Sequence, residues 1–299
     1  MRTFITFLIS VSIFSFSATA SAKDRYSAIL EKLQALQKSH PSITSLFSIG
    51  KNDDGIDIMA IRVSTRPEVM DVKKIGHLIV GTHHGNELAA ADLSMDFLES
   101  LLNRYQSAEL YRGNLADLEW TVVPVLNISG YNQANRHEHG QDPNRDYPGP
   151  CIQATGGRLA SIKSAMALLA SRPFTGTATL HGYIGTLTYP WGISVENTHT
   201  QDHNRFAEIT AKAAELNGYR HGTSTDLIYP CDGSFEDYAY WKHGAWSLLV
   251  ELRNGTSQDV KDTTLAMEKY FDQLDSSPSN HHAMESNCYR GGKVDLRNE

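Results

Sequence analysis

The chain is poor in cysteine, and it has neither a surplus of positive charge nor an apolar run of membrane length. Only Cys151, Cys231 and Cys288 are present, and no spacing among them forms the Cys-x-x-Cys unit of a zinc–thiolate site. In an exported protein three cysteines allow one disulfide and leave one thiol over, and their positions do not choose the pair. Lys and Arg number 27 against 34 Asp and Glu, a formal net charge of -7, which speaks against a nucleic-acid partner. The apolar stretch Phe4–Phe16 is 13 residues long, short of the about 20 that a membrane anchor needs. No Pro- or Ser-rich linker interrupts the chain before its last 25 residues, so the 299 residues, 40% hydrophobic, read as one large core.

Arg2, the apolar stretch and the small residues Ala20-Ser21-Ala22 form the pattern of a secretory signal peptide over residues 1–22, with no cysteine at the cleavage point to take a lipid. Its removal takes away Arg2 and no acid, moving the charge from -7 to -8. Export to a periplasm or the medium is therefore expected.

Tyr26, Ile29, Leu30, Leu33 and Leu36 recur at helical spacing, and Pro41 lies just beyond, which predicts a helix over 24–39. SLFSIG and IDIMAIRV flank a turn-rich spacer and predict a hairpin. Four short apolar runs then alternate with helical patterns: 76–80, 121–127, 177–181 and 247–251. Such alternation predicts an α/β fold, a mixed and largely parallel central sheet with helices on both faces. The expected division is a signal peptide (1–22), one domain (23–275) and a polar tail without period (276–299).

His-x-x-Glu occurs twice, as His84/Glu87 in GTHHGNE and as His282/Glu285 in NHHAME. The first follows the end of an apolar strand and opens a helix, where open α/β sheets place their ligand sites. The tail copy has no strand before it and reads as accidental. The run at 177–181 also ends on His181, and that at 247–251 on Glu251. Parallel strands bring these ends to one edge, and two histidines with one carboxylate make the ligand set of a catalytic zinc. Taken singly, His181 reads equally well as a core histidine and Glu251 as half of an ion pair with Arg253.

These residues resemble the zinc metallocarboxypeptidases of the carboxypeptidase A type, over about residues 24–275. Gly81–Glu87 is similar to the family's His-x-x-Glu segment, and Leu180–Tyr183 with Tyr189–Gly192 to that of its third ligand. Asp142–Pro148, then Tyr229, Gly233-Ser234 and Val250–Arg253 complete the set in order. The resemblance implies one Zn²⁺ per chain held by His84, Glu87 and His181, with His83 a packing neighbour. It implies Glu251 as general base toward a zinc-activated water, and Arg136 as stabiliser of the oxyanion, with Arg62, Arg145 and Arg158 as other positions for that role. Asn144 and Arg145 would read the free C-terminal carboxylate of a peptide substrate. Tyr229 would close over it, and Asp142 would accept a hydrogen bond from a ligand imidazole.

Asn127-Ile128-Ser129-Gly130 and Asp146-Tyr147 depart from the family's Asn-Pro-Asp-Gly and Asn-Phe. Phe235, after Gly-Ser, is expected to line the pocket for the terminal side chain and to favour apolar termini. Asp232, Glu236 and Asp237 favour a basic one, or are solvated charges. The expected activity is that of an exported bacterial metallocarboxypeptidase, monomeric and free of a membrane anchor. A murein stem-peptide peptidase or amidase on the same fold, and an inactive peptide-binding protein, are the rival readings.

Overall fold

A computed structural model describes residues 24–107, 115–151, 156–284 and Cys288. The predicted signal segment and Glu285 of the tail motif lie outside the described residues. In chain order the elements are α1 (Arg25–Ser39), β1 (Thr44–Lys51), β2 (Asp57–Val63), β3 (Ile75–Gly81), α2 (Ala89–Ser107), β4 (Leu118–Val123) and α3 (Ile128–Gln133). A 3-10 turn at Pro143–Arg145 precedes α4 (Ala160–Ser171), β5 (Gly176–Gly182), β6 (Thr186–Tyr189) and α5 (His203–Ala214). Then follow β7 (Arg220–Thr223), α6 (Ser224–Leu227), α7 (Phe235–His243), β8 (Trp246–Leu252) and α8 (Ser257–Phe271).

One eight-stranded sheet has the order β1-β2-β4-β3-β5-β8-β6-β7. Its centre is parallel: β3 pairs with β4 and β5, and β5 with β8. The hairpin strand β2 joins β4 antiparallel, and β6 joins β8 antiparallel. The central strands are buried along nearly their whole length, as their continuous apolar runs require of a sheet covered on both faces. The run expected over 121–127 is paired only through Val123, because Pro124 brings no N–H to a ladder.

Alternation along β5 separates two environments. A Cβ at Gly176 would point at Phe271 and Leu274, the side covered by α8. Thr177, Thr179 and His181 point the other way, where the rings of His83 and Phe235 pack. The functional side chains therefore rise from the α7 face at the carboxyl ends of the parallel strands. No helix among the described residues is long and apolar enough to cross a membrane.

Part of the polar tail is docked. Ser279 N–H donates to Gly244 O at 2.7 Å, Trp246 Nε1–H to Ser277 O at 3.3 Å, and His282 Nδ1 lies 2.8 Å from Trp241 O. Cys288 forms a disulfide with Cys151, and Cys231 is the buried free thiol. The tail carries no apolar period, yet it meets a body that supplies polar partners.

Candidate metal centre and substrate cleft

Strand β3 ends at Gly81, and the chain turns sharply at Thr82, whose φ of 58° is a left-handed value that a β-branched residue rarely adopts. Its hydroxyl donates to Pro124 O at 3.1 Å and its carbonyl accepts from Asn127 N–H at 3.1 Å, so the loops after β3 and β4 hold the turn together. Gly85 follows because any Cβ there would overlap the backbone of Gly130 and Tyr131. The turn sends His83 into the core and His84 to the sheet edge.

His84, Glu87 and His181 meet there, all buried, with one ligand atom from each within 4.8 Å of the others. His84 Nδ1 lies 2.8 Å from Glu87 Oε1, His181 Nδ1 2.9 Å from Glu87 Oε2, and the two Nδ1 atoms 3.1 Å from each other. Burial alone would raise the Glu87 carboxyl, but the His181 and His84 imidazoles hold it down to about 2. Burial likewise opposes the charged form of His84, yet Glu87 and Asp142 raise it, while burial lowers His181. Two imidazole nitrogens and a carboxylate aimed at one point are the N/O donor set of a catalytic zinc, and so fit that ion.

The outer faces of both rings are held. His84 Nε2 is 3.1 Å from Asp142 Oδ1, whose other oxygen accepts from Arg136 Nε and Nη2 at 3.1 and 2.8 Å. His181 Nε2 is 3.0 Å from Thr179 Oγ1, which is 2.9 Å from His83 Nδ1, and His83 Nε2 is 2.9 Å from Tyr147 Oη. This row has two self-consistent proton arrangements, and the one in which Thr179 donates to His83 leaves His181 Nδ1 bare for a cation. The Tyr at 147, a departure from the family pattern, thus spends its hydroxyl on His83.

Around the three donors a cleft encloses about 460 Å³ of space open to solvent, walled by Arg136, Asn144, Arg145, Tyr229 and Glu251. Glu251 is the last residue but one of β8 and pairs in register with His181 of β5. It is 8% exposed, and its Oε2 is buried without a hydrogen-bond partner. Burial and the Glu87 charge push its carboxyl well above the usual carboxylate range, while Arg136 and Arg145 pull it back. Arg253 is engaged elsewhere: its guanidinium donates to Gly218 O at 2.9 Å and Asn217 O at 3.3 Å.

Arg145 Nη2 donates to Tyr229 Oη at 3.1 Å and Nη1 to Asn144 O at 2.6 Å, which leaves the guanidinium at the cleft under an aromatic ring that is 39% exposed. Asn144 is tied down by Asp142, which accepts its N–H at 3.0 Å, and by Phe235 N–H, which donates to Asn144 Oδ1 at 2.8 Å. Of the other arginines considered for the oxyanion, Arg62 is buried near Glu119 and donates to Pro67 O, and Arg158 binds Asp146. Arg136 reaches the cleft, with Nη1 3.7 Å from Glu87 Oε1.

Phe235 departs from expectation: it is fully buried, its ring lies against His83 and Tyr147, and the cleft wall does not include it. As the first residue of α7 it turns its side chain to the core while its N–H serves Asn144. Glu236 and Asp237 are buried rather than solvated. Sequence reading also missed Ile184, Ile228, Cys231 and Leu249 on the wall. It missed Thr179 too, which strand alternation alone places beside His181.

The sequence pattern of the zinc carboxypeptidase family matches residues 29–274. Carboxypeptidase D of Anas platyrhynchos is 24% identical over 252 residues, 74% of this chain but 18% of that protein. An inactive metallocarboxypeptidase of Saccharomyces cerevisiae is 21% identical over 265 residues, 74% of this chain and 61% of that one. The chain thus spans less than a fifth of carboxypeptidase D. Carboxypeptidase A of Helicoverpa armigera shares the fold, with a TM-score of 0.70 at 17% identity over 83% of this chain and 72% of that chain. With a family pattern that runs over most of its length and the same architecture beneath it, the chain belongs to the zinc carboxypeptidase family.

Proposed function

We propose that the protein is a zinc-dependent carboxypeptidase that hydrolyses the last peptide bond of substrates with a free C-terminal carboxylate. The observation that carries this reading is Glu251, a buried carboxylate with an unpartnered oxygen on the wall of a cleft that also holds three convergent metal donors and Arg145. Zinc held by His84, Glu87 and His181 would supply a Lewis acid that acidifies a water and polarises the scissile carbonyl.

The chain's own residues do the rest. Arg145, with Asn144 beside it, binds the substrate carboxylate, and Tyr229 covers the terminal residue and exchanges its contact with Arg145 for one with substrate. Arg136, already beside Glu87, offers its guanidinium to the charge that develops on the carbonyl oxygen. Glu251 accepts a proton from the attacking water at Oε2 and returns it to the departing amine. Export directed by residues 1–22 and action as a single chain belong to the same proposal.

Glu251→Gln tests it, because the amide keeps the shape but takes no proton. About one zinc per chain should remain bound, peptide affinity should persist, and kcat should fall by roughly 10²–10⁴-fold. A zinc-loaded, stable and fully active Glu251→Gln protein would overturn the mechanism. Since one relative is inactive, wild-type protein that binds zinc and peptide without turnover would instead be a binding protein.

A further inference from the structure

The row His181, Thr179, His83 and Tyr147 runs from the metal donors into the core, linked at 3.0, 2.9 and 2.9 Å. All four side chains are buried, and among the described residues Tyr147 Oη bonds to nothing but His83. Burial lowers both imidazoles, so each ring carries one N–H and one bare nitrogen. Thr179 has a single proton to give, which ties the tautomer of one ring to that of the other.

In the first arrangement Tyr147 Oη–H donates to His83 Nε2, His83 Nδ1–H to Thr179 Oγ1, and Thr179 Oγ1–H to His181 Nε2. His181 Nδ1–H then donates to Glu87 Oε2, 2.9 Å away. Every proton of the row has an acceptor, and the nitrogen aimed at the metal position is blocked. The second arrangement runs the other way: His181 Nε2–H donates to Thr179, Thr179 to His83 Nδ1, and His83 Nε2–H to Tyr147 Oη. Now His181 Nδ1 is bare for a cation, but the Tyr147 hydroxyl proton is stranded in the core. Both arrangements hold the same number of protons and the same charge. With no cation present the first is favoured, because an orphaned buried donor is costly and a bare Nδ1 would face the Glu87 carboxylate.

The residue at 147 sets the size of that preference. A phenylalanine there would leave His83 Nε2 without a donor in the first arrangement and His83 Nε2–H without an acceptor in the second. Each state would then lack one partner, and the gap between them would narrow. We propose that Tyr147 is a positioning residue that acts through His83 and Thr179 to hold His181 in the tautomer that does not ligate. Metal uptake therefore moves the proton on both rings, and the site binds its cation less tightly than the three donors alone would. The inference rests on the zinc reading of the site.

Nitrogen NMR of the histidine side chains reads the tautomers, and competition with a chelator measures zinc affinity. In metal-free wild-type protein both rings should carry Nδ1–H; with zinc both should carry Nε2–H, the change at His83 being the signature because that ring is not a donor. Tyr147→Phe should bind zinc roughly 10-fold more tightly and gain Nε2–H on His83 in the metal-free state. Thr179→Val should leave His83 in one tautomer with and without zinc, and Thr179→Ser, which keeps the hydroxyl, should restore the wild-type change. This pair decides the matter if Tyr147→Phe does not fold. Weaker zinc binding by Tyr147→Phe is the result for a tyrosine that simply supports a ligand, and it would overturn the proposal, as would a His83 tautomer indifferent to zinc. If the wild-type protein binds no zinc the zinc reading fails, and the metal-free spectra still decide this one: Nε2–H on His181 there refutes it, while Nδ1–H on both rings, with a gain of Nε2–H in Tyr147→Phe, supports it.

Discussion

Arg145 is held by its own backbone neighbour and by Tyr229, so its guanidinium is positioned before any substrate arrives. If it reads the terminal carboxylate, Arg145→Ala should cost roughly 2–5 kcal/mol in kcat/KM on a free-acid peptide and far less on the C-terminal amide. Equal losses on both would reassign it to structure. At this scale the residues that end apolar runs were legible, because His181 and Glu251 combine a strand-end position with chemistry a core does not need. Phe235 was misread because sequence order cannot tell on which side of a helix's first turn a ring falls. Glu236 was open to two readings because the letters of a charged pair do not show whether water reaches it. Thr179 was overlooked although its position two residues before His181 fixes its side of the strand.

The loop and helix elements that carry the candidate substrate site are locked by close backbone contact. Gly233 has a φ of 89°, and a Cβ there would stand 2.6 Å from the Arg145 carbonyl oxygen, while Tyr147 N–H donates to Gly233 O at 3.0 Å. The segment that leads into α7 and the Asn144–Tyr147 turn thus form one unit. Gly233→Ala should cost about 1–3 kcal/mol of stability from backbone strain alone and raise KM for free-acid peptides. Bound zinc, measured by elemental analysis, should stay near one per chain, and its loss would mean that the damage spreads beyond this unit. The hairpin, the four central strands and the long helices could be read from periodicity. β6 and β7 could not, since each has only four residues, and β7 is half exposed at the sheet edge. α7 was equally hidden: it is buried through most of its length and shows no apolar stripe.

Across the whole molecule the Cys151–Cys288 disulfide spans a sequence separation of 137 and ties the middle of the tail to the chain just beyond Tyr147. The three cysteines left this pairing open, and only the folded tail decides it. Replacing Cys288 with Ser should lower unfolding free energy by roughly 2–5 kcal/mol, the range for loss of a native disulfide, visible as a fall in melting temperature. Zinc content should be unchanged, because none of its ligands lies near the staple in the chain. An unchanged melting temperature would show that the docked tail holds without the bond. Synthesis runs in one direction, so the order of assembly follows. The candidate metal donors and Glu251 are complete once β8 has emerged, while the segment after Arg145 waits for residue 288 before it can be fastened. Under the proposed function, a chain halted or clipped between these points would keep its means of breaking a bond and lose the brace behind its means of choosing which one.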